Sequence, residues 1–197
     1  MTGIKYIKLA FAAIMIATAS KPALSHLGVG SAKSFAAGLA HPLFAVDHVV
    51  VMVSVGLWAA LKGGRALCAW PAAFAGLMIA GGVAGIAGLS VSFVEPVILA
   101  SLVTIGLLVA AVVNLPLTAE AIIISFFAFF HGHAHGTEIP LGASALGYLT
   151  GFALATLLLQ GAGIGLCHLA GQRFQGLVRL AGAVTATVGV GLIIGTV

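Results

Sequence analysis

Acidic residues are almost missing from this chain: four in 197 positions, against eight Lys and Arg. Charged residues of both signs reach only 6%, too few to give a water-soluble domain its polar surface. No hydrophilic block is long enough to fold by itself, which leaves a single membrane-embedded domain. The basic residues are scattered, mostly outside the apolar runs. That pattern excludes nucleic acid as a partner and leaves the lipid bilayer. Cysteine is scarce as well. Cys68 and Cys167 form no CxxC pair and are too few for a disulfide framework. They read as small packing residues in membrane helices.

What fills the chain instead is apolar: 61% of residues, with a mean hydropathy of +1.24. Lys5 and Lys8 precede a short apolar run over 9–19, followed by Ala23-Leu24-Ser25, a small-x-small pattern. Residues 1–25 therefore read as a cleaved signal peptide, with the mature membrane domain over 26–197 beginning at His26. An uncleaved anchor is the alternative. Six longer runs follow, over 34–61, 67–89, 93–113, 117–135, 141–166 and 177–196. Each approaches or exceeds the length of about 20 residues that a membrane helix needs. The expected fold is all-α, with six transmembrane helices. Lys62, Arg65, Arg173 and Arg179 lie between or near the runs on one side, which the positive-inside rule makes cytoplasmic. The mature amino terminus and the carboxyl terminus then face outward from the inner membrane, in agreement with a translocated leader.

Twenty-seven glycines include small-xxx-small pairs at Gly81/Gly85, Gly147/Gly151 and Gly161/Gly165. These read as close helix contacts. Pro42 lies inside the first run, has no N–H to donate, and is expected to loosen the helix and free the Gly38 carbonyl.

The ionisable residues are concentrated in two places. Phe130-His131-Gly132-His133-Ala134-His135-Gly136-Thr137-Glu138 ends the fourth run, and His41-Pro42-Leu43-Phe44-Ala45-Val46-Asp47-His48 lies in the first. On a helix, His131, His135 and Glu138 share a face while His133 points elsewhere, and His41 and His48, two turns apart, face the same way. Such side chains are expensive in a membrane and mark function by default. The most economical reading is one metal site shared by two helices, both clusters falling in the outer half of the bilayer. Imidazole suits nickel, cobalt, copper and zinc, and the carboxylates partly neutralise a dication. Asp47 either ligates or holds the His48 tautomer. Thiolates are absent, which argues against a Cu(I) or structural zinc cage.

HPLFAVDH resembles the HPxxGxDH signature, and FHGHAHGTE matches the FHGxAHGxE signature, of the HupE/UreJ family of nickel permeases. Ala45 stands where the first pattern has Gly. The resemblance extends along essentially the whole chain. It implies a nickel transporter, with cobalt as a second candidate, that supplies metalloenzymes such as hydrogenase or urease. It also implies His41, Asp47, His48, His131, His135 and Glu138 as the metal-handling set. His133 occupies a variable position of the motif and is left undecided. No permanently bound cofactor is implied, the divalent ion being substrate, and homo-oligomerisation is left open. The amine and imidazole of His26 form a further candidate capture site. Glu95 suits either the ion path or a capping box with Ser92, and Glu120 either the dipole of the fourth helix or an exit ligand. His168 is expected in a solvated cytoplasmic loop. Two other classes are kept: a haem-bearing electron carrier with His48 and a fourth-span histidine as axial ligands, and a membrane-bound metal-dependent enzyme.

Overall fold

The computed structural model describes residues 31–140, 142–170 and 175–195. Within them every regular element is helical: α1 (Ser31–Ala40), a 3-10 turn (His41–Leu43), α2 (Val46–Lys62), α3 (Ala66–Ile86), α4 (Val94–Ala110), α5 (Leu117–Thr137), α6 (Ala145–Ala170) and α7 (Gln175–Ile193). The expected signal peptide and His26 lie outside the described residues. Four helices, α3, α5, α6 and α7, are long and apolar enough to cross a membrane. The pair α1 and α2 qualifies only as one broken span, and α4 is apolar but has 17 residues.

The first span departs from expectation. Instead of one helix over 34–61, the chain bends by 80° between α1 and α2. Pro42 has no N–H to continue α1. Phe44 donates to the His41 carbonyl and closes a short turn. Ala45 then adopts an extended conformation before its carbonyl accepts the first bond of α2, from Val49. The loosening expected at Pro42 is thus a full break. His41 and His48 owe their proximity to that bend and not to a shared helix face. Their rings lie 6.5 Å apart, whereas seven residues of straight helix would separate them by about 10.5 Å along its axis.

The other helices pack as close pairs whose seams are made by glycine. On α3 and α5, a Cβ at Gly81 would strike the Phe129 carbonyl, one at Gly132 the Met78 carbonyl, and one at Gly136 the Gly82 carbonyl. Gly85 likewise lies against the His133 carbonyl. Apolar burial gives helices no net drive to associate in lipid, so this backbone proximity supplies the contact. Gly106 and Gly182 do the same for α4 and α7, and Gly151 and Gly163 seat α1 and α2 on α6. Gly161 and Gly165 have no neighbour within 4 Å, so the expected contact at that pair is absent and Gly163 makes it instead.

Polarity is inverted relative to a soluble protein. Ile122, Phe126, Leu146 and Leu158 are exposed, while Glu120, His131 and Gln160 are fully buried. Trp58, Trp70, Phe74, Met52, Met78 and Phe152 fill the interior between them. Apolar residues outside and polar ones inside are what a bilayer solvent requires. Cys68 is exposed, and Cys167 is half-buried against the core edge.

Candidate metal site

Two helix ends build the central cluster. His41 comes from the turn after α1, and Asp47 and His48 from the first turn of α2. His131, His135 and Glu138 come from the last turns and C-cap of α5. The motif spacing of α5 separates two duties. Gly132 and Gly136 press against α3, while the residues one earlier bring their rings to the cluster, His131 against His48 of α2 and His135 against both His48 and Phe152 of α6. The glycines of the motif therefore hold the helix that aims its histidines.

His135 Nε2 and His48 Nε2 are 2.6 Å apart, one ring donating the proton that the other accepts. His48 Nδ1 lies 3.0 Å from Asp47 Oδ1. This contact is close but poorly aligned, since the same nitrogen makes no proper hydrogen bond. It still favours a proton on Nδ1, leaving the Nε2 lone pair toward His135. His131 Nδ1 donates to the Phe127 carbonyl at 2.9 Å. A carbonyl only accepts, so Nε2 carries the free lone pair; it has no hydrogen bond and is fully buried. The His48 and His131 rings are 5.4 Å apart. Glu138 Oε2 lies 3.7 Å from His41 Nε2 and 3.5 Å from His135 Nδ1. His41, His135 and Glu138 can each offer one donor atom, all within 4.8 Å of one another.

Electrostatically the cluster holds two carboxylates and four imidazoles, with no Lys or Arg paired to it among the described residues. Its burial is graded. Glu138 is exposed, His41 and Asp47 are half-buried, and His48, His135 and His131 are enclosed.

The remaining expected residues stand apart from this cluster. His133 points to the other side of α5, where its Nε2 donates to the Leu89 carbonyl at 2.7 Å. Replacing His133 with alanine is expected to leave nickel binding unchanged while loosening the end of α3. Calorimetric titration of the purified variant checks this, and a lost ion would return His133 to the ligand set. Glu95 is exposed in the first turn of α4, without hydrogen bond or ion pair among the described residues. The capping box does not form, because the residue before α4, Phe93, is left-handed at φ 63° and no side chain caps the helix. Glu120 is at the opposite end of α5, paired with Lys62 at 3.3 Å. His168 is exposed as expected, but on the last turn of α6 and not in a loop.

One wall of the cluster escaped the sequence reading. Phe152 of α6 lies 4.1 Å from the His135 ring, centroid to centroid, and Tyr148 lies 6.0 Å from His41. The signal was the four-residue spacing of Tyr148, Phe152, Thr156 and Gln160, a mixed aromatic and polar stripe on an otherwise aliphatic helix.

An inverted helical fold enclosing an uncompensated anionic cluster of imidazoles and carboxylates defines a multi-pass membrane protein suited to a cation. The HupE / UreJ protein family matches over residues 13–192, and the chain belongs to this family of metal transporters. It is 41% identical to Protein HupE of Rhizobium leguminosarum bv. viciae, over 91% of this chain and 95% of that one. No solved structure matches it.

Proposed function

We propose that the protein carries nickel, and secondarily cobalt, across the bacterial inner membrane through His41, Asp47, His48, His131, His135 and Glu138. The ion is substrate and not a resident cofactor. In this reading the broken first span and α4 complete six crossings, with both termini outward, and the cluster receives the ion from the outer side. Delivery to hydrogenase or urease follows from the family resemblance alone.

The observation that carries the proposal is the meeting of His48 and His135 across 87 positions of sequence. At metal–nitrogen lengths of about 2.1 Å, two imidazole ligands at right angles place their nitrogens about 3 Å apart. A small outward shift of either ring from 2.6 Å admits an ion. The same proximity leaves no room for a macrocycle between the rings, which disfavours the haem alternative. The His131 tautomer is set by the Phe127 carbonyl, the kind of support that orients a ligand before metal arrives.

Cells making the protein should accumulate radiolabelled nickel above cells lacking it, and cobalt should compete. No accumulation, or competition by zinc alone, would overturn the nickel assignment. Protons and metal compete for the same imidazole lone pairs. Nickel binding to the purified protein should therefore weaken as the medium is acidified below about pH 6.5, the ordinary imidazole value. Affinity that stays flat from there down to about pH 4, the ordinary carboxylate range, would remove the histidines from the ligand set.

A further inference from the structure

The helices that carry the cluster, α2 and α5, are linked by side chains a second time, at their far ends. Lys62 closes α2 and Glu120 opens α5. The Lys62 ammonium is surrounded by oxygen: Asn114 Oδ1 at 2.5 Å, the Leu115 carbonyl at 2.6 Å, and Glu120 Oε1 and Oε2 at 3.4 and 3.3 Å. Glu120 is 0% exposed. Its Oε1 also accepts from the Leu115 N–H at 3.0 Å, while Oε2 has no aligned donor. Beside the ammonium lies a cavity of about 240 Å³ lined by Trp58, Leu61, Lys62, Val112, Val113 and Asn114.

A buried carboxylate, an amide oxygen and a main-chain carbonyl converging on one positive charge have the donor composition of a cation site. Here the charge belongs to a flexible four-carbon stem next to a space into which it can withdraw. We propose that this oxygen cage is a second station for the transported divalent ion, occupied between turnovers by the Lys62 ammonium and vacated when the stem swings into the cavity. The inference rests on the transport reading and adds its exit. The side bearing Lys62 and Arg65 is the one that positive charge makes cytoplasmic. The order of donors gives the path a direction. Imidazole suits nickel better than carboxylate and carbonyl oxygen do, so the far station holds the ion less firmly than the histidine cluster. A tethered ammonium that returns to the cage then expels it. Release is as necessary to transport as capture.

The test uses the full-length protein in lipid nanodiscs and an amine-acetylating reagent, read by mass spectrometry at each lysine. Nickel should raise acetylation of Lys62 several-fold and leave Lys33, at the other end of the molecule, unchanged. The rise should persist in His48→Ala, because both faces of a nanodisc are open. Nickel-insensitive Lys62, in a protein that transports nickel, overturns the station while sparing the transport reading. A nickel response at Lys62 without cellular uptake shows a nickel site at the cage but overturns the transport reading, and with it the cage's part in an exit path. Calorimetry adds a second measurement. Lys62→Met should bind one more nickel ion, or the same ion more tightly, than Lys62→Met/Glu120→Gln. Equal binding by the two variants counts against the cage. Should Lys62→Met not accumulate, the acetylation result on the unaltered protein decides.

Discussion

Replacing either His48 or His135 with alanine is expected to lower nickel uptake by at least about tenfold, the scale on which metal sites respond to losing even a supporting group. The double variant should be little worse than either single one. The reason is geometric: the two nitrogens are 2.6 Å apart, so one ion would touch both. Residues that act as a unit are strongly non-additive, and once one ligand is gone the second has little left to contribute. His168→Ala is the matched control, since that ring is exposed and, among the described residues, bonded only to its own helix at the Ile164 carbonyl. Direct nickel binding should accompany the flux measurement, because two separate stations in series would also each reduce uptake. Normal binding and uptake in either single variant, at normal abundance, would sink the shared site.

A change that touches no ligand should be as damaging. Gly132→Val places a branched side chain where even a Cβ would collide with the Met78 carbonyl. No rotamer relieves a clash that begins at Cβ, and α3 must move away from α5 along the whole seam. Overpacking of this kind costs about 1–3 kcal/mol, and more when backbone is the obstacle. The expected result is loss of protein from the membrane, or a lowered unfolding temperature with displaced histidines and lost nickel binding. Gly161→Ala, with open space around it, should match the unaltered protein in both respects. Full abundance and full nickel binding by Gly132→Val would show that the seam has no such role.

Much of this arrangement was legible in the sequence for a physical reason. Lipid forces backbone bonds inside each segment, so apolar runs translate into helices with few alternatives. Histidine is expensive there, so His41, His48, His131 and His135 stood out against an aliphatic background. Bends and side-chain partners were harder to see. Pro42 marked the weak point of the first span, but the 80° turn also needed the extended Ala45 and a packed α6, which are tertiary facts. Lys62 and Glu120 are 58 residues apart, and each alone looks like an ordinary charge at a helix end. Gly161/Gly165 had the right spacing but faced no neighbour, because spacing fixes which residues share a face and not what lies opposite.

The graded burial of the cluster bears on how an ion would shed its hydration water. Side-chain exposure falls from 56% at Glu138 and 36% at His41 to 25% at Asp47, 8% at His48 and 3% at His135, reaching zero at His131. A divalent ion stripped of its whole shell in one step would meet a prohibitive barrier, since even a singly charged group loses several kcal/mol on leaving water. Along the proposed route it need give up only one or two waters at a time, each replaced by a carboxylate oxygen or an imidazole nitrogen before the next departs. The bend at Pro42 is what joins the exposed end of this gradient to the enclosed one, because it holds the His41 ring 6.5 Å from that of His48. Straightening the chain there would leave the same donors in the sequence but turn a staircase into a cliff.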